Sequence, residues 1–127
     1  MDKIVHFEIP VDNVERAEKF YKSCFSWDME SIPDMKYTIL RTGPVDEKRM
    51  PKEPGFINGG MMQRNKDIKS PILTIAVEDI DKAIETVKKN GGKQVGEKLT
   101  VGTMGHAAYF EDTEGNILGL WQSLGEM

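Results

Sequence analysis

The feature that most constrains this chain is an internal repeat. Residues 7–22 and residues 73–88 run in step at a constant offset of 66 for sixteen positions without a gap. Phe7 answers to Leu73, Val11 to Val77, Asp12 to Glu78, Asn13 to Asp79, Val14 to Ile80, Arg16 to Lys82, Ala17 to Ala83 and Lys22 to Lys88. Both copies read as an alternating apolar strand, an acidic turn and a short amphipathic helix. A chain of 127 residues has room for one ordinary core. Two modules, 4–63 and 71–123, are therefore expected to share it as a single domain spanning 1–127.

In the first strand Val5, Phe7, Ile9 and Val11 are apolar, whereas His6 and Glu8 hold the alternate positions. Successive side chains point to opposite faces, so one face is apolar and the other carries His6 and Glu8. Asp12 or Asn13 suits the N-cap of the helix, with Glu15 placed as in a capping box after Asp12. Val14, Ala17, Phe20, Tyr21 and Cys24 make its apolar stripe, which predicts a helix over 14–23 seated on the odd face of the strand. Strands are predicted over 27–32, 37–41 and 56–63, with a long exposed loop over 43–55. The second module repeats this order. Its first strand carries Leu73, Ile75 and Val77, a helix over 80–90 is capped by Asp79 and stopped by Gly91-Gly92, and strands follow over 93–99, 107–111 and 117–122. Each module is strand, helix and three strands. The sheet face that the helix leaves bare is expected to meet its counterpart around a shared concavity.

A net charge of -4 gives no electrostatic reason to expect nucleic acid or an anionic membrane as partner. The amino terminus leads directly into strand-like residues rather than a cationic stretch with a long apolar run, so no signal peptide or membrane span is expected and the location is read as cytoplasmic. Cys24 is alone, cannot close an internal disulfide, and is expected to be a buried structural thiol.

HFEIPVDNVERAEKFY, FINGGMMQ, TIAVEDIDKAIETVKKNGG, GTMGHAAYFEDTEGN and ILGLWQ, in that order, resemble the vicinal oxygen chelate superfamily of glyoxalases, bleomycin-resistance proteins and dioxygenases. The branch most resembled is that of predicted enzymes related to lactoylglutathione lyase, over about 4–123. The resemblance implies a fold of the α+β class: two paired βαβββ modules forming a curved mixed sheet around a shared cup, commonly in a homodimer that can exchange modules. It also implies a divalent metal held by the first and last strand of each module. Those positions fall on His6 and Gly60 in the first module and on Ile72 and Gly119 in the second. Three of the four have no donor atom, and a catalytic ion needs about three protein ligands. No metal and no other cofactor is therefore expected.

Strand parity places Met62, Gly60, Thr74, Gly119, Ile117 and Trp121 on the bare faces, with His6 and Glu8. Such a largely apolar surface with a few polar groups suits a small, flat, apolar or aromatic ligand. The paired glycines serve either ligand space or tight packing. Glu8 and His6 are candidates for a general base and acid acting on a small carbonyl compound, or else a satisfied hydrogen-bonded pair. His106 is read as a loop residue, either exposed without a role or lining the ligand site, and a rearranged metal set of His6, Glu8 and His106 is the alternative. GGMM and GTMGH lack the spacing of nucleotide-binding glycine loops. Three functions follow: a metal-free binding module; a glyoxalase-related lyase or isomerase using Glu8 and His6, metal-free or with a rearranged metal site; or a subunit with a vestigial cup whose sheet surface serves association.

Overall fold

The computed structural model describes residues 1–125 of the chain. It divides into two compact units, one formed by residues 6–71 and the other by residues 72–125 together with 1–5. The first unit contains β1 (Ile4–Val11, from His6 onward), α1 (Val14–Phe25), β2 (Asp28–Ile32), a single 3-10 turn (Pro33–Met35), β3 (Tyr37–Arg41) and β4 (Asn58–Gln63). Its strands lie in the order β2-β3-β4-β1, antiparallel except for the parallel pair β1–β4. A parallel pair needs a long crossover, and α1, β2, β3 and the exposed loop 42–57 supply it.

Alternation along β1 and helical spacing along α1 bring one apolar face together. Val11, Leu40 and Met61 are buried at its centre, and Phe7, Ile9, Val14, Ala17, Tyr21, Trp27 and Met29 pack around them. Gly59 lies beside Phe7 in the β1–β4 register, where a Cβ would meet the Phe7 ring and carbonyl. Here glycine lets an aromatic ring lie flat over a strand. Asn13, rather than Asp12, caps α1: its side chain accepts from the Arg16 amide at 2.9 Å.

The second unit contains β5 (Ile72–Ala76), α2 (Ile80–Lys89), β6 (Lys93–Val101), β7 (Gly105–Glu111) and β8 (Ile117–Ser123). These strands run β5-β8-β7-β6, with β5–β8 the parallel pair. The carbonyl of Lys3 accepts from the Ala76 amide at 2.9 Å, which accounts for the grouping of residues 1–5 with this unit. Ile80, Ile84, Ala108 and Leu120 form the core under α2, joined by Ile75, Val77, Ala83 and Phe110. Asp79 caps α2 by accepting from the Lys82 amide at 3.1 Å. The pair is the image of Asn13 and Arg16 at offset 66, so the repeat extends to an individual capping hydrogen bond.

Cys24 departs from expectation: it is exposed. Trp27 stacks on Tyr21, with ring centroids 5.1 Å apart and planes within 3°, and Phe25 leans on both. The indole packs against the core at this end of the helix, and Cys24 does not. His106 lies within β7 rather than in a loop, because β6 and β7 pair as far as Val101 and Gly105.

Met61 has no exposed surface, so Met61→Ala should cost about 2–5 kcal/mol of stability. Cys24→Ser should stay within about 0.5 kcal/mol of the parent. Urea unfolding followed by circular dichroism measures both, and a large loss for Cys24→Ser would contradict its placement.

Candidate functional site

The helix-free face of the first unit carries His6 and Glu8 from β1, with Gly60 and Met62 from β4. Glu8 lies opposite Gly60, Ile39 of β3 lies opposite Gly60 from the other side, and Tyr37 lies opposite Met62. Tyr37 joins the two candidate residues. Its hydroxyl donates to Glu8 Oε2 at 2.9 Å and stands 2.8 Å from His6 Nε2, and the two rings are nearly parallel at 14°. Glu8 retains only 9% of its accessible surface. Two hydrogen bonds, with the rings nearly coplanar, together fix the position of the phenol.

Gly60 has a direct explanation in this cluster. A Cβ built there would fall on the Tyr37 hydroxyl and ring. The tyrosine fills the space that a side chain at 60 would need, so a larger residue at 60 and Tyr37 in its present place exclude each other. Tyr37 has no counterpart in the sequence reading of the site. A signal was present, since Tyr37, Ile39 and Arg41 share a parity on β3, but parity alone does not say which of them reaches Glu8.

Burial lowers the His6 pKa below its ordinary 6.5, and the nearby Glu8 carboxylate offsets this only in part. Desolvation disfavours the imidazolium, so the ring is neutral at pH 7.

The helix-free face of the second unit brings together Thr74, Gly119 and Trp121. Thr74 pairs with Gly119 and Ala76 with Trp121. A Cβ at Gly119 would approach Thr74 Oγ1 to 2.9 Å, and the Trp121 ring lies against Gly105. Ile72, buried, shares the parity of Thr74. His106 does not join this set. It pairs with Gln122, whose side chain accepts from the Ile80 amide at 2.9 Å on the helix side, and its Nδ1 lies 3.1 Å from Thr100 Oγ1.

Comparison with known proteins agrees with this architecture. A family model described as bleomycin resistance protein-like N-terminal matches residues 3–43. A glyoxylase-like domain-containing protein of Didymella fabae is 33% identical over 119 residues, covering 90% of this chain and 88% of that protein. The chain belongs to the glyoxalase-like family of the vicinal oxygen chelate superfamily. A probable chloroplastic lactoylglutathione lyase of Arabidopsis thaliana is 30% identical over 86 residues, which cover 65% of this chain but only 25% of the plant protein. Among solved structures, a variant of Streptomyces coelicolor methylmalonyl-CoA epimerase in complex with 2-nitronate-propionyl-CoA superposes with a TM-score of 0.66 at 12% identity, covering 97% of this chain and 98% of the epimerase. At that identity the likeness is one of fold.

Four positions are expected from the resemblance to face a metal: 6, 60, 72 and 119. His6 is the one donor, and its Nε2 faces Tyr37. Gly60 is covered by the phenol, and Ile72 and Gly119 bring no donor. Among the described residues no three His, Cys, Asp or Glu side chains gather as a metal ion requires.

Two measurements follow. Unfolded His6 takes up a proton below about pH 6.5, whereas folded His6 stays neutral to lower pH. The unfolded state then binds more protons, so this contribution to stability is present above that pH and lost as pH falls below it. Urea unfolding of His6→Gln should show a shallower acid-side decline than the parent, and parallel profiles would contradict a depressed pKa. Secondly, Gly60→Ala should cost about 1–3 kcal/mol through overpacking. Combining it with Tyr37→Ala should cost less than the sum of the single changes, and strict additivity would contradict the contact.

Proposed function

We propose that the chain is a small-molecule-binding glyoxalase-like domain that works without the family's metal. The observation that carries this reading is the Tyr37 phenol, which occupies the side-chain space of Gly60 and links His6 to Glu8. The four family positions do not fit a metal: one donor remains, and its Nε2 is already engaged with a hydroxyl. In place of a cation and carboxylates, this face presents a hydrogen-bonded polar cluster beside the thioether of Met62 and the side chain of Ile39. A few fixed polar groups in apolar surroundings orient a small ligand, and aromatic and thioether groups favour a flat, apolar body. Thr74, Gly119 and Trp121 make a comparable face on the other unit, proposed as contact surface for the same class of compound.

A second reading has its own support. The link from Glu8 through Tyr37 to His6 joins a carboxylate, a phenol and an imidazole, groups of the kind that general acid-base catalysis beside a carbonyl uses. The superposed epimerase is in complex with 2-nitronate-propionyl-CoA. In this reading the chain is a lyase or isomerase of a small carbonyl compound, with Glu8 as base and His6 as acid.

Calorimetric titration of flat apolar compounds into the purified full chain should give saturable binding, with no turnover of a panel of small carbonyl compounds. Elemental analysis should return well under one equivalent of transition metal. Turnover that disappears in Glu8→Gln would replace binding with catalysis, whereas stoichiometric zinc, nickel or iron lost in His6→Gln would overturn the metal-free reading.

A further inference from the structure

The proton count of the Tyr37 cluster fixes the state of the His6 ring. A phenol has one proton and an ionised carboxylate has none. The 2.9 Å contact between Tyr37 and Glu8 is between two oxygens, and it is attractive only if the phenol proton lies in it. With that proton committed to Glu8, the 2.8 Å contact between Tyr37 and His6 Nε2 needs a second proton. The imidazole must supply it. The chain of donation therefore runs from His6 Nε2 to Tyr37 to Glu8.

That direction has a consequence at the opposite ring nitrogen. In a neutral imidazole with the proton on Nε2, Nδ1 is an acceptor. Among the described residues the ring's hydrogen bond is made at Nε2, to Tyr37, and Nδ1 is the nitrogen left on its other side. No buried side-chain nitrogen or oxygen lacks a partner among the described residues, and His6 is only half-buried, so Nδ1 is not a sealed atom. A carboxylate two hydrogen bonds away strengthens an acceptor in this position, because each bond in the chain polarises the next.

We propose that His6 Nδ1 is the group that reads the ligand, accepting a hydrogen bond from an uncharged O–H donor on an aromatic ring, as in a phenol. The proposal rests on the binding reading above and names its ligand class. Glu8 keeps negative charge behind the cluster and so disfavours carboxylates and phosphates. The His6 and Tyr37 rings, parallel within 14°, and Met62 beside them suit a flat apolar body. Glu8 and Tyr37 act here as positioning residues, holding the ring in the tautomer that leaves Nδ1 bare.

The test compares phenol with fluorobenzene, which matches its shape and has no donor, by titration of the full chain. The parent should prefer phenol by about three- to tenfold, the effect of one net hydrogen bond. In His6→Phe and in Tyr37→Phe the preference should fall close to one, whatever the absolute affinities. Magnetic resonance of isotope-labelled imidazole nitrogens should show Nδ1 without a proton in the free chain, and its signal should shift when phenol binds. This readout decides the matter even if a variant fails to fold. Equal binding of the two compounds, a preference that survives both substitutions, or a protonated Nδ1 in the free chain would each overturn the proposal. If neither compound binds while other flat compounds saturate the chain, the acceptor role falls and the binding reading stands. If no compound saturates it, both fall.

Discussion

One helix seated on one face of a four-stranded sheet is the constraint from which the rest follows in each unit. The apolar positions of the first strand and the stripe of the helix are the surfaces that bury each other, around Val11, Leu40 and Met61 in one case and Ile80, Ile84, Ala108 and Leu120 in the other. Because strand side chains alternate, committing one parity to the helix commits the other to the opposite face. His6 and Glu8 are on that second face because Phe7 and Ile9 are on the first. The chemistry of each unit is a by-product of its packing.

What each unit does with its free face differs, although the scaffold is duplicated down to the caps of the two helices. In the first, a buried carboxylate is satisfied by a phenol, and the phenol takes the room left by a glycine. An unpartnered polar group would be costly at the burial of Glu8, so Tyr37 gives the cluster a structural purpose as well as a chemical one. In the second, Thr74, Gly119 and Trp121 share the free face with Tyr109, which lies opposite Gly119. Duplication followed by divergence of the free parity is the simplest account of this pattern, since the helix-facing parity is held by the core.

The reach of sequence reasoning followed the range of the interactions involved. Periodicity, caps and the offset of 66 are local signals, and they specified both helices, the strand order along the chain and the parity of His6, Glu8, Gly60, Met62, Thr74, Gly119 and Trp121. Departures came where a distant residue competed for a place. Cys24 is exposed while Trp27, beyond the helix, stacks on Tyr21, and the pairing of β6 with β7 drew His106 into a strand.

The sequence by itself determined the duplicated βαβββ architecture, the glyoxalase-like kinship and the absence of donor side chains at Gly60, Ile72 and Gly119, because each is written in residue identity and spacing. The tertiary structure decided what occupies the space those residues leave. Tyr37 stands 29 positions from Glu8 and 31 from His6, and only the β3–β4–β1 pairing brings its hydroxyl between them. No period or motif encodes a contact that depends on the register of three strands.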